Sequence, residues 1–225
     1  MERRILGRTN LEVSVAGLGA GGGVQLGLRN GASKGQAASI VRLAFDLGIN
    51  FFDTAHGYGT EDVVAAGLQG IPRDQYVLST KFSIDKPNRV KMTADQAVAG
   101  LDNSLDVLGT DCIDIFQLHG IDPVNYDYAV NTLAQVLLRE KEKGKFRFLG
   151  ATEFSQRDLD HVALGQDHGV LHGCAQLPHV PRPGVTDDRL QRLGGEVAHR
   201  LGVFLGELAQ KTQCQHRDVR GALPQ

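Results

Sequence analysis

Three apolar runs in this sequence end in polar residues that can do chemistry: Ile49 to Asp53, Tyr76 to Lys81, and Cys112 to His119. A fourth such residue, Tyr58, follows Asp53 by five positions in the segment Asn50-Phe51-Phe52-Asp53-Thr54-Ala55-His56-Gly57-Tyr58-Gly59. Gathered in one pocket, Asp53, Tyr58, Lys81 and His119 would form an acid–base set. An ammonium beside a tyrosine favours the phenolate, moving its pKa toward a range useful for giving or taking a proton. An aspartate beside the lysine holds it in place and keeps it charged, and a histidine opposite can hydrogen-bond a carbonyl oxygen. Such a set protonates an oxygen as hydride arrives on carbon. No side chain supplies a hydride, so a cofactor must.

Each residue taken alone also has a structural reading. Asp53 can cap a turn, Lys81 can be a solvated charge, His119 a hydrogen-bonded core residue and Tyr58 a packed loop ring. Their joint placement at strand ends is what favours a site.

The elements that must position them are punctuated regularly. Ser33 and Gln36 form a capping box, Ile40, Val41, Ala44 and Phe45 mark one apolar face, and Gly48 closes the helix. A shorter helix is predicted from about Thr60 to Gln69. Thr93 and Gln96 form a second capping box ahead of Val98, Leu101, Leu105 and Leu108, with Gly109 as the stop. Leu133, Val136 and Leu137 predict a further helix ending in Lys141, Lys143 and Gly144, whose basic last turn suits the helix dipole. Phe146 to Ala151 is the next strand and Ser155 to Leu164 the next helix. With Val13 to Leu18 as the first strand, five strand–helix units follow one another, which predicts a parallel sheet. In an open sheet the functional residues would gather at one switch point, whereas a barrel gathers the ends of successive strands. Asp53, Lys81 and His119 end three consecutive strands, which favours the barrel.

Gly17-Leu18-Gly19-Ala20-Gly21-Gly22 satisfies G-x-G-x-x-G. A dinucleotide fingerprint requires a helix to open on those glycines, and the glycine-rich continuation to Gly31 holds a helix poorly. A strand followed by a loop is the preferred reading. A doubly wound dehydrogenase would require a helix beginning at Gly19 to Gly22.

Composition bounds the partners. The 225 residues carry 24 basic and 26 acidic side chains, which gives no reason to expect nucleic acid or an anionic membrane. No run approaches the roughly 20 apolar residues of a membrane span. Cys112, Cys174 and Cys214 are odd in number and scattered, which argues against a disulfide framework and for a reducing, cytoplasmic setting.

The segments Asn50 to Gly59, Leu78 to Phe82, Phe116 to Gly120 and Gly144 to Phe154 resemble the aldo-keto reductase family, and Arg4 to Ser14 is similar to the family's usual start. The likeness runs over roughly residues 3 to 165. It implies a (β/α)8 barrel of TIM type using NADPH, with NAD as the other nicotinamide, and a small aldehyde, ketone, alcohol or sugar as substrate. By resemblance Tyr58 is the proton donor, Lys81 lowers its pKa, Asp53 pairs with Lys81 and His119 orients the carbonyl. Gly150-Ala151-Thr152-Glu153-Phe154 lies where the family has a serine–asparagine pair on the nicotinamide carboxamide. Thr152 can replace the serine hydroxyl, but an ionised Glu153 accepts hydrogen bonds and cannot donate them. Gln176 loosely resembles a glutamine that the family sets against the nicotinamide.

After about Gly165 the likeness stops, with 60 residues remaining. Pro178, Pro181, Pro183 and Gly184 break the chain, and Gly194, Gly195, Gly202 and Gly206 interrupt a helical spacing of apolar residues. The expected organisation is thus an incomplete barrel over 1–165, lacking its last two or three units, and an atypical tail over 166–225. A change of reading frame near 165–172 or a genuine truncation would account for it. A chain without the cofactor grip would be a non-catalytic remnant or a regulatory binding protein. Arg29, Asn30 and the segment 121–128 are candidates to line the mouth.

Overall fold

The structure, a computed structural model, describes residues 1–85 and 90–153, with the backbone alone at Glu153. Its centre is a parallel sheet of β3 (Leu18–Gly19), β4 (Phe51–Asp53), β5 (Val77–Ser83), β6 (Ile113–Ile121) and β7 (Phe146–Glu153). The strands lie in the order β3-β4-β5-β6-β7, so chain order and spatial order are the same. With right-handed crossovers, an order that never reverses puts every connecting helix on one face. That is the winding of a (β/α) barrel rather than of a doubly wound sheet, which has a point of reversal. The fold class expected from the sequence is thus the one observed.

The helices form where their caps and apolar faces predict. Both capping boxes are made: Ser33 and Gln36 start α1 (Lys34–Asp46), and Thr93 and Gln96 start α3 (Ala94–Leu108). Between them lies α2 (Glu61–Leu68). After β6, α4 (Tyr126–Tyr128), a π-helical turn over Ala129–Leu133 and α5 (Ala134–Glu142) follow without interruption. Val41, Val64, Leu68, Leu101 and Leu137 from these helices share one core with Phe52, Leu78, Phe116 and Leu149 of the sheet. Phe52 and Phe116 are fully buried, each contributing about 1.5–3 kcal/mol of apolar transfer energy. The odd-numbered neighbours in β4 to β6 face the other way, as strand alternation requires.

The predicted first strand, Val13 to Leu18, is in fact two. Glu12–Ser14 is β2, paired antiparallel with β1 (Arg3–Ile5) in a hairpin outside the sheet, and only Leu18–Gly19 joins β4. Buried Asn50 bridges β2 to the sheet. Its side chain accepts from Ser14 N (2.6 Å) and donates to Glu12 O (2.9 Å), while its backbone N–H donates to Ser14 Oγ (3.0 Å). A side chain therefore ties β2 to the sheet in place of a ladder. Leu6, Leu11 and Val13 of the hairpin cluster with Val77, Ile115, Phe51 and Phe148, covering the inner face at the strands' amino ends.

No helix begins at Gly19 to Gly22. The chain turns there and enters a 3-10 segment, Gln25–Asn30, kinked at Leu26 (φ 56°) and Gly27. This excludes the dinucleotide fingerprint and the doubly wound alternative. Among the described residues no helix is long and apolar enough to cross a membrane, and no group of three or more His, Cys, Asp or Glu could hold a metal ion. The predicted helix at 155–164, the weak strand at 168–177 and the boundary near 165 lie outside the described residues.

Candidate active site

Asp53 is the last residue of β4, Lys81 lies in β5 and His119 in β6, all toward the carboxyl ends of adjacent strands. Tyr58 is carried by a single 3-10 turn, His56–Tyr58, directly after β4. The turn is tied down by Thr54 and Thr60, whose buried hydroxyls are 3.0 Å apart. Beneath it Thr80 donates to the buried Glu61 carboxylate at 2.6 Å, anchoring α2 on β5.

The structure brings all four residues together. Lys81 is 2 % exposed, and its Nζ lies 2.6 Å from Asp53 Oδ2 and 2.8 Å from Thr54 O. An ammonium so far out of water needs a compensating carboxylate, and Asp53 supplies it. The same ammonium stands 5.0 Å from the centroid of the Tyr58 ring. On the ring's other neighbour, His119 packs edge-on with centroids 5.7 Å apart and planes at 86°. Tyr58 and His119 are both half-buried, at the boundary between core and solvent.

Thr152 stands beside His119, its direct register partner in β7, and its Oγ1 accepts from Gly120 N at 3.3 Å. The register of β6 and β7 shifts here, between His119 and Ile121, a bulge of the kind that re-aims side chains at sites. Of Glu153 only the backbone is described, at the end of β7, and Gln176 lies outside the described residues. Arg29 and Asn30 are exposed on the 3-10 segment after β3. In the 121–128 segment, Tyr128 donates to Met92 O at 2.7 Å, joining the loop after β6 to the residues before α3.

Three site neighbours escaped the sequence reading. Gly21, from the glycine-rich run, lies against Tyr58: a Cβ there would be 2.3 Å from the ring's Cε2. The absent side chain at Gly21 permits the close approach of this aromatic ring. Ser79 and Gln117 are the others. Each lies two positions before a site residue on the same strand, a spacing that puts it on the same face. That period was the available signal.

A parallel strand–helix fold with a carboxylate, an ammonium, a phenol and an imidazole at one rim is a scaffold with an acid–base set of side chains. The Aldo/keto reductase family model matches residues 18–174, and the chain belongs to that family. The match continues past Gly165 to Cys174. The chain is 37% identical over 184 residues to L-galactose dehydrogenase of Arabidopsis thaliana, covering 77% of this chain and 56% of that protein. Aldo-keto reductase YhdN of Bacillus subtilis is 34% identical over 169 residues, 71% of this chain and 49% of the relative. Among solved structures, the holo form of aldo-keto reductase AKR11C1 from Bacillus halodurans superposes with a TM-score of 0.59 at 27% identity, over 72% of this chain and 53% of that one. The chain thus spans about half the length of the curated relatives it matches.

Proposed function

We propose that this chain carries the proton-transfer half of a nicotinamide-dependent oxidoreductase that interconverts a small carbonyl compound and its alcohol. The observation that carries the reading is the buried Lys81 ammonium, set between the Asp53 carboxylate and the Tyr58 ring. Tyr58 is the general acid. Its phenol gives a proton to the carbonyl oxygen in reduction and recovers it in oxidation, and the adjacent ammonium stabilises the phenolate left behind. Asp53 keeps Lys81 charged and in place. His119, beside the phenol, donates a hydrogen bond that polarises and orients the carbonyl oxygen.

The site's own groups move protons and hold no electron pair to donate as hydride. Bound NADPH, or NADH, would supply that hydride. At the end of β7 the Thr152 hydroxyl can donate to the oxygen of a nicotinamide carboxamide. Glu153 is proposed as a second contact by its position in the family likeness, although as a carboxylate it departs from the family's pattern because it accepts hydrogen bonds and does not donate them. Gln176 is proposed as a further contact by its position in the family likeness. The substrate class favoured is a sugar or other small hydroxy-carbonyl compound. Relatives of this chain are named for L-galactose and, at 34% identity over 141 residues, for 6-dehydroglucose (Novosphingobium aromaticivorans).

The test is nicotinamide oxidation or reduction by purified protein with a panel of aldehydes, ketones and aldoses, in parallel with fluorescence titration by NADPH. Turnover abolished by Tyr58→Phe supports the reading. Folded protein that binds NADPH without turning over any substrate would be a regulatory binding protein, and folded protein that binds none would end the reductase reading.

A further inference from the structure

We propose that Ser79 and Gln117 are positioning residues for the Asp53–Lys81 pair, acting as one hydrogen-bond chain behind it. Gln117 Nε2 donates to Ser79 Oγ at 2.7 Å, and Ser79 Oγ donates to Asp53 Oδ1 at 3.0 Å. The other carboxylate oxygen, Oδ2, receives Lys81 at 2.6 Å. Both Asp53 oxygens are therefore engaged, one from behind by a neutral chain and one from in front by the ammonium. A carboxylate held at one oxygen only can rotate about its last bond. Held at both, it fixes where the lysine charge sits relative to the Tyr58 ring.

Three strands build this chain, and backbone geometry selects its members. Ser79 is the direct register partner of Asp53 and is fully buried, so its hydroxyl has few partners other than those in the chain. Gln117 is the register partner of both Lys81 and Gly150. Its side chain lies over Gly150, where a Cβ would come within 2.8 Å of Gln117 Cγ. The absent side chain at 150 is thus the space that Gln117 occupies on its way to Ser79. An amide suits the rear of the chain, because it donates a hydrogen bond and carries no charge to compete for Lys81.

The proposal rests on Tyr58 being the proton donor, and its test reads the phenol directly. Among the described residues, the charged and titratable groups around the Tyr58–Lys81 pair include Asp53 from β4, Lys81 from β5 and His119 from β6, with His56 and Glu61 paired at 3.9 Å alongside. Ionisation of Tyr58 is followed by tyrosinate difference absorbance in full-length protein, and Tyr58→Phe identifies its share of the signal. Ser79→Ala and Gln117→Leu each loosen Asp53 and hence Lys81, so the Tyr58 midpoint rises by about one unit. The double variant behaves like Ser79→Ala alone, because both changes cut one chain. Ser79→Thr, which keeps the hydroxyl, restores the wild-type midpoint. A purely structural role predicts lower melting temperatures with an unmoved midpoint, and that result, or additive shifts in the double variant, overturns the proposal. Gln117→Leu keeps the side-chain volume and serves alone if Ser79→Ala does not fold. Wild-type protein that titrates as described but never turns over a carbonyl would remove the functional reading and leave the chain standing.

Discussion

The ring of Tyr58 lies so close over the backbone of Gly21 that a methyl group on that glycine would sit 2.3 Å from Cε2. Carbon atoms do not approach so closely, so the glycine in the loop after β3 sets where the phenol rests. Gly21→Ala must push the ring away from Lys81 and His119. Because a displacement of about 1 Å at a reacting group can cost on the order of 100-fold, kcat should fall by about 10- to 100-fold. Circular dichroism and melting temperature should stay near those of the wild type. An active Gly21→Ala protein would show that the ring's position is not critical.

Stability and function should separate within the Asp53–Lys81 pair. Asp53→Ala leaves a nearly fully buried ammonium without its carboxylate and should cost about 3 kcal/mol or more in denaturant titration. Lys81→Met removes the charge and keeps the apolar stem, and should cost clearly less. Both variants should lose turnover. Equal destabilisation by the two changes would mean that burial of the charge is not the dominant cost.

At the opposite end of the sheet, Asp114 is a staple with no part in the site. Its buried carboxylate accepts from Arg73 Nη2 (2.7 Å), Leu78 N (2.9 Å) and Arg147 Nη1 (2.9 Å), joining the segments of β5, β6 and β7. Asp114→Ala removes the side-chain acceptor of Leu78 N and both guanidinium contacts, although Arg73 keeps Tyr76 O and Cys112 O. A loss of about 1–3 kcal/mol in unfolding free energy is expected, since the two guanidinium groups left behind are a third to a half exposed, with KM and kcat unchanged in the protein that remains folded. A change in kcat without loss of stability would contradict this division.

Glu140 gives a pH-dependent prediction. Hydrogen bonds from Lys143 and Lys145 hold its carboxyl below its ordinary value of 4.5. A carboxyl whose pKa is lower folded than unfolded adds stability above the unfolded value, and that stability drains away as pH falls through the folded one. The melting temperature should therefore exceed that of Glu140→Gln by a constant margin near neutrality. The margin should shrink progressively below about pH 4.5. A margin independent of pH across that range would assign the difference to packing instead.

Much of the scaffold was readable because it is written locally. Ser33 with Gln36 and Thr93 with Gln96 satisfy helix amides within four residues of themselves, so their helices start where the sequence says. The strands carrying Asp53, Lys81 and His119 were visible as apolar runs, although β5 and β6 each run two residues past the expected end, and their sequential pairing followed from the helices between them. The hairpin at the amino end was not readable, since the side-chain contacts that hold β2 against the sheet come from Asn50, 36 residues away from Ser14. At the glycine-rich run a phosphate-binding motif and a clearance for a tyrosine ring look alike in one dimension, and only the poor helix-forming continuation to Gly31 argued against the former.

What the residues determined by themselves was the inventory: four groups able to share a proton, the strands that carry three of them, and helices of a length to return the chain. What only the folded molecule decided was contact. Whether Lys81 meets Asp53 or solvent, whether Gly21 yields to Tyr58, and whether Ser79 and Gln117 stand behind the carboxylate all depend on the register of β4, β5, β6 and β7. Register is set by the packing of Phe52, Leu78, Phe116 and Leu149 against the helices, because a slip of one residue would turn each of these side chains to the other face. Interactions between positions dozens of residues apart leave no periodic trace, and that is why the candidate residues could be named from the sequence while their geometry could not.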